Sequence, residues 1–116
     1  MPVTDFNVVR ELAESLPDVV HTISPRGEGL NVRGKLMACQ AIHKSAEPNS
    51  IMARVSQTER DRLIELDPKT YYITQHYETY PAVLVRLSVV GRRELKRLLK
   101  LSWQYVFEKS QETRGT

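Results

Sequence analysis

The stretch PAVLVRLSVV, Pro81 to Val90, alternates in period two. Val83, Val85, Leu87 and Val89 share one face of an extended strand, and Ala82, Leu84, Arg86 and Ser88 share the other. A strand of this kind needs a sheet around it, so the rest of the chain is read for partners. TYYIT supplies one, with a strand expected over 71–75. The β-branched residues from Val19 to Ile23 supply another. LNVRGKLMACQAI, from Leu30, reads as two strands joined by a tight turn at Arg33-Gly34, where glycine can take the positive φ such turns require. IMARV, after the polar loop HKSAEPNS, returns as a short strand.

Three helical patterns interrupt the strands. TDFNVVRELAESLP places Thr4 or Asp5 as a cap, then repeats Phe6, Val9, Leu12, Ala13 and Leu16 at helical spacing until Pro17. SQTERDRLIELDP carries a capping box: Ser56 accepts from the backbone three residues on, and Glu59 reaches back. Leu63, Ile64 and Leu66 form its apolar side, and Pro68 ends it. A long final helix is expected from about Arg92 to Glu108, with 110–116 as a flexible polar tail. The expected fold is α+β, a two-layer sandwich with an antiparallel sheet of about five strands in the order α-β-β-β-α-β-β-α. The second helix is too short to cover that sheet, so the last helix must do most of the covering.

The chain of 116 residues reads as one domain, 1–116, which buries roughly two-thirds of the surface its unfolded form exposes. Cys39 is the single cysteine, so no disulfide closes within the chain, as suits a reducing cytoplasm. No segment resembles a signal peptide or a membrane span, and a cytoplasmic location without membrane attachment is expected. The net charge of +3 is unevenly spread. Residues 1–50 hold five Lys/Arg against six Asp/Glu, and 51–116 hold twelve against eight.

SLP at the end of the first helix, NVRGKLMA, DPKTYYITQHYETYPAVLVRL and the closing ELKRLLKLSWQYV together resemble MmcQ/YjbR-like proteins. The resemblance runs from about Val8 to Val106, and its most specific block is Asp67 to Leu87. Leu30 and Ala82 depart from it, standing where aromatic residues are common. The resemblance implies a fold like that of the secretion chaperones. It also implies a DNA-binding role of double-wing type, with hairpins serving as wings, and brings no catalytic residues.

The residues themselves offer little enzymology. His21, His43 and His76 are scattered, and no spacing suggests a metal site. Cys39 and His43 are four apart, as a thiolate–imidazole pair would be, but a buried cysteine beside a loop histidine is the plainer reading. Phosphate-cradling glycine motifs are absent, and no cofactor is expected. The chain is therefore expected not to be an enzyme. Residues 70–81 hold four of the five tyrosines. They are read first as the margin of a sheet core, with Tyr72 as a packing residue, and second as a candidate pocket of Tyr72, His76, Tyr77 and Tyr80.

The last helix carries more information. Leu95, Leu98, Leu99, Ser102 and Val106 form one stripe, with Arg93, Lys96, Arg97, Lys100 and Gln104 opposite and Trp103 and Phe107 flanking. Only Glu94 interrupts the basic stripe. Cations at one-turn spacing can follow a phosphate backbone. Arg33, Lys35, Lys44 and Arg26 would add wing-like contacts from turns and loops. DNA or another nucleic acid is the expected partner; an acidic protein partner, for a chaperone-like module, is the alternative.

Overall fold

The computed structural model describes residues 5–114. Helix α1 spans Phe6–Glu14, capped by Asp5, whose carboxylate accepts from the N–H groups of Asn7 and Val8 at 3.0 and 3.3 Å. Thr4, the other candidate cap, lies outside the described residues. Phe6, Val9 and Ala13 are buried, so the 3.6-residue period sets which side of the helix meets the sheet.

The sheet has six antiparallel strands, one more than the five expected: β1 (Val19–Ser24), β2 (Gly27–Val32), β3 (Lys35–Gln40), β4 (Ser50–Arg54), β5 (Tyr71–Tyr72) and β6 (Ala82–Arg86). Four strands rather than three precede the second helix, α2 (Gln57–Leu66). The spatial order is β1-β2-β3-β4-β6-β5. The first four form a meander of neighbours, and β6 enters between β4 and the short edge strand β5. The β2–β3 turn has positive φ at both Arg33 (51°) and Gly34 (83°), the combination whose twist matches a two-residue hairpin.

The β2–β3 ladder shifts register between Leu30 and Asn31, which pair with Ala38 and Leu36 and leave Met37 as the extra residue of a bulge. Met37 and Ala38 consequently both face the covered side, where both are fully buried.

Helix α3 runs Arg92–Arg114, past Glu108 and through most of the segment read as a tail. Leu95, Leu98, Leu99, Ser102 and Val106 are all buried, as their spacing requires. All three helices lie on one side: α1 and α3 pack on β1 to β4, and α2 sits over β5 and β6 with Leu63 in the same core. The fully buried serine on this apolar stripe has a specific partner: Ser102 Oγ donates to the Met37 carbonyl at 2.7 Å, at the bulge.

Five local expectations change. The strand expected over 71–75 stops at Tyr72, and residues 75–79 are turns. Tyr71 is the fully buried tyrosine (1% exposed), while Tyr72 is half-buried. The alternation of PAVLVRLSVV ends at Arg86, whose carbonyl accepts from the N–H groups of Val89 and Val90; Val89 turns outward and Val90 inward. Leu66 is exposed at the end of α2, and only half of the capping box forms. Ser56 Oγ accepts from Glu59 N at 3.1 Å, but the Glu59 carboxylate pairs with Arg62 instead of reaching back.

Candidate nucleic-acid interface

The burial of Leu95, Leu98 and Leu99 fixes the rotation of α3 and turns Arg93, Lys96, Arg97, Lys100 and Gln104 to solvent; all five are exposed. Glu94, the acid within this stripe, is occupied from below. Its Oε2 accepts from the Tyr71 hydroxyl at 2.7 Å, and its Oε1 lies 3.8 Å from Arg97. Burial, and then the adjacent Glu94 carboxylate, push the Tyr71 phenol far above its ordinary range. Arg92 reaches Glu11 of α1 at 3.5 Å. Arg93, Lys96 and Lys100 have no ion-pair partner among the described residues. Three cations of the stripe therefore stand outside any ion pair among the described residues.

The other basic residues divide between the two sides of the sheet. Arg33 lies over the Phe107 ring, its guanidinium carbon 5.3 Å from the centroid. Phe107 stacks on Trp103 at 4.9 Å, and the Trp103 indole donates to the Pro17 carbonyl at 2.8 Å. Lys35 pairs with Val32, whose side chain enters the covered core, so Lys35 also starts on the helix side. Lys44 does not join them. It sits in the β3–β4 loop, where Ala46 packs on the cluster of the opposite face. Arg26 is in the β1–β2 turn and borders a groove on that same opposite face.

The tyrosine block builds that opposite, open face. His43 and His76 stack at 3.5 Å with planes 3° apart, and Tyr77 meets both edge-on. The Tyr77 hydroxyl accepts from His43 N at 3.3 Å, and Ser45 Oγ contacts Thr74 Oγ1 at 2.9 Å. Tyr72 is spent on structure. Its hydroxyl accepts from Glu47 N at 2.8 Å and meets Ser50 Oγ at 2.7 Å, while Arg86 covers its ring at 4.2 Å. The candidate pocket therefore splits. Tyr77 and Tyr80 line a groove of about 620 Å³, but Tyr72 and His76 do not. The groove floor comes from Leu36, Cys39, Met52 and Ala82, contributed by three different strands. Only their shared alternation phase, visible once strands are paired, could have marked them in the sequence.

Among the described residues no hydrogen bond joins Cys39 to His43: His43 Nδ1 is engaged by Ser45 and its ring stacks on His76. Burial raises the Cys39 thiol, and desolvation, then the stacked His76, lower His43. Among the described residues no three His, Cys, Asp or Glu side chains converge as metal ligands, and no helix is long and apolar enough to cross a membrane.

No family model matches the chain. It is 44% identical over 41 residues to the uncharacterized proteins Rv2570 of Mycobacterium tuberculosis and Mb2600 of Mycobacterium bovis, a match covering 35% of this chain. The match spans about a third (32%) of the length of those relatives. The fold resembles the crystal structure of Deinococcus radiodurans protein DR2400, a DUF419 domain, with a TM-score of 0.74. That likeness covers 95% of this chain and 83% of the other, at 20% identity, and establishes a shared α+β architecture.

Proposed function

We propose that the chain is an MmcQ/YjbR-like domain that binds nucleic acid without catalysis, through the basic outer face of α3 supplemented by Arg33 and Lys35 on the same side. One observation carries this reading: Arg93, Lys96 and Lys100 are exposed with no ion-pair partner among the described residues, while Glu94 is already engaged by Tyr71 and Arg97. A helix face built only for solubility would pair its cations with acids at i+3 or i+4. The resemblance carried by Asp67 to Leu87 points to the same role. Phosphate contacts position a protein without reading bases, so little sequence preference is expected.

The test is a titration of labelled duplex DNA at a series of salt concentrations. Arg93, Lys96, Arg97 and Lys100 alone predict a log–log slope of roughly −3 to −4, which contacts from Arg33 and Lys35 would steepen. Reversal of both Lys96→Glu and Lys100→Glu should leave the fold intact, because both side chains are exposed and neither has an ion-pair partner among the described residues. It should weaken binding about equally for all sequences. Equal binding by wild type and the double variant at low salt would refute the reading and leave an acidic protein as the partner to seek, by pull-down against the same variant.

A further inference from the structure

The groove on the open face has no role in nucleic-acid binding by α3, since the whole sheet lies between them. Its volume of about 620 Å³ is that of a small-molecule site. Its floor is apolar, from Leu36, Cys39, Met52 and Ala82, and the rings of Tyr77 and Tyr80 stand along one wall.

Its rim carries the hydroxyls of Thr22, Ser24, Tyr77 and Tyr80, which can donate or accept, and the donor groups of Arg26 and Gln40. Arg26 and Arg54 both border it. Arg26 is exposed with no ion-pair partner among the described residues, whereas the Arg54 guanidinium lies on the helix side, its carbon 5.5 Å from the centroid of the Tyr105 ring of α3. Gln40 spends its Oε1 on the Glu28 N–H at 2.8 Å, which leaves its amide N–H groups as the donors of that side chain. Gly27 makes that arrangement possible. A Cβ there would stand 2.7 Å from Gln40 Oε1, and its φ of 108° disfavours any side chain. Among the described residues Glu28 is the one carboxylate residue bordering the groove, and its side chain points to the other face of the sheet, where Oε1 meets His21 Nε2 at 2.8 Å.

We infer that this groove binds a small amphipathic carboxylate, an aliphatic or arylalkyl acid. Its apolar body would lie on the Leu36–Cys39–Met52–Ala82 floor, and its carboxylate would be held by Arg26 beside the Gln40 amide. A floor of this size favours burial of an apolar chain, and the Arg26 cation with no facing carboxylate favours an anion over a neutral or cationic head.

The probe is sodium decanoate, followed on ¹⁵N-labelled protein by backbone amide shifts, with decanol and decyltrimethylammonium as matched chains. Decanoate should shift the amides of Leu36, Cys39 and Met52 saturably. Decanol and the cation should bind at least about tenfold more weakly, as should decanoate to Arg26→Gln. Cys39→Phe, which fills the floor, should abolish the shifts; if it unfolds, Arg26→Gln and the neutral chain carry the test. The Lys96→Glu/Lys100→Glu variant should bind decanoate like wild type whether or not it loses DNA, which separates this site from the α3 reading. Equal binding of decanol and decanoate, shifts confined to α3, or no saturable shift would each overturn the inference.

Discussion

Replacing Ser102 by alanine isolates one hydrogen bond at the centre of the molecule. The side chain is fully buried, and its hydroxyl donates to the Met37 carbonyl at 2.7 Å, at the residue the β2–β3 bulge leaves without a cross-strand partner. Alanine removes the donor and strands a buried carbonyl, at a cost of about 1–3 kcal/mol. Its better helix propensity returns roughly 0.5 kcal/mol. The net loss should be about 1–2 kcal/mol, or roughly 5–10 °C in Tm for a domain near this size. Ser110 is the internal control. It is also buried in α3, but its hydroxyl bonds the Phe107 carbonyl of its own helix at 2.8 Å. Ser110→Ala should stay within about 0.5 kcal/mol of wild type. Urea unfolding of the three proteins, with the m-value as a check on two-state behaviour, gives the comparison. A Ser102→Ala variant as stable as wild type would show that the bulge carbonyl does not need this donor, and so would equal losses for both serines.

Two other substitutions probe the sheet's far edge. Tyr71 keeps its proton in the folded chain well beyond its ordinary value of 10.0, whereas the unfolded chain releases it near that value. Its contribution is therefore full below about pH 10 and lost above it, at about 1.4 kcal/mol per pH unit. Tyr71→Phe should cost about 1 kcal/mol at neutral pH through the lost Glu94 bond and should flatten the alkaline fall in urea stability; an unchanged alkaline slope would contradict the buried-phenol assignment. Arg86 holds Glu47 through two nitrogens and donates to the Pro68 and Lys69 carbonyls at 3.0 and 3.1 Å. Arg86→Lys should lose about 2 kcal/mol despite keeping the charge, because an ammonium cannot span those partners, and a thermal melt matching wild type would refute the fork.

What the sequence made legible was whatever period and local geometry decide. The α3 stripe, the Asp5 and Ser56 caps, the Arg33-Gly34 turn and the α+β class all follow from short-range rules, and each is present in the structure. The failures lie where tertiary partners choose. Tyr71 and Tyr72 alternate identically in any strand, and only the pairing with Val85 and Leu84 sends Tyr71 to the helix side. Val89 keeps the strand rhythm after the strand has ended, because Arg86 closes a turn there. Among the proposed site residues, the basic stripe of α3 could be placed from helical spacing alone. The separation of Lys44 from Arg33, and the groove on the open face, depend on which loops fold over which face, and no local pattern encodes that.

The position of β6 has a consequence for how the sheet is assembled. The first four strands follow one another through short connections, so each can pair as soon as the next emerges. The fourth cannot be completed this way: Arg54 pairs with Ala82, and α2, β5 and the tyrosine loop all lie between them. Closing so long a loop costs little in final stability, since the penalty grows only by about 0.6 kcal/mol per doubling of length. It costs time instead, because that entropy is spent before the β4–β6 contacts return it. During synthesis the meander therefore waits with the β4 backbone bare along one side and Ile51, Met52 and Ala53 uncovered. The interval between the emergence of Arg54 and of Ala82 is the period in which this chain is most open to pairing with a strand that is not its own.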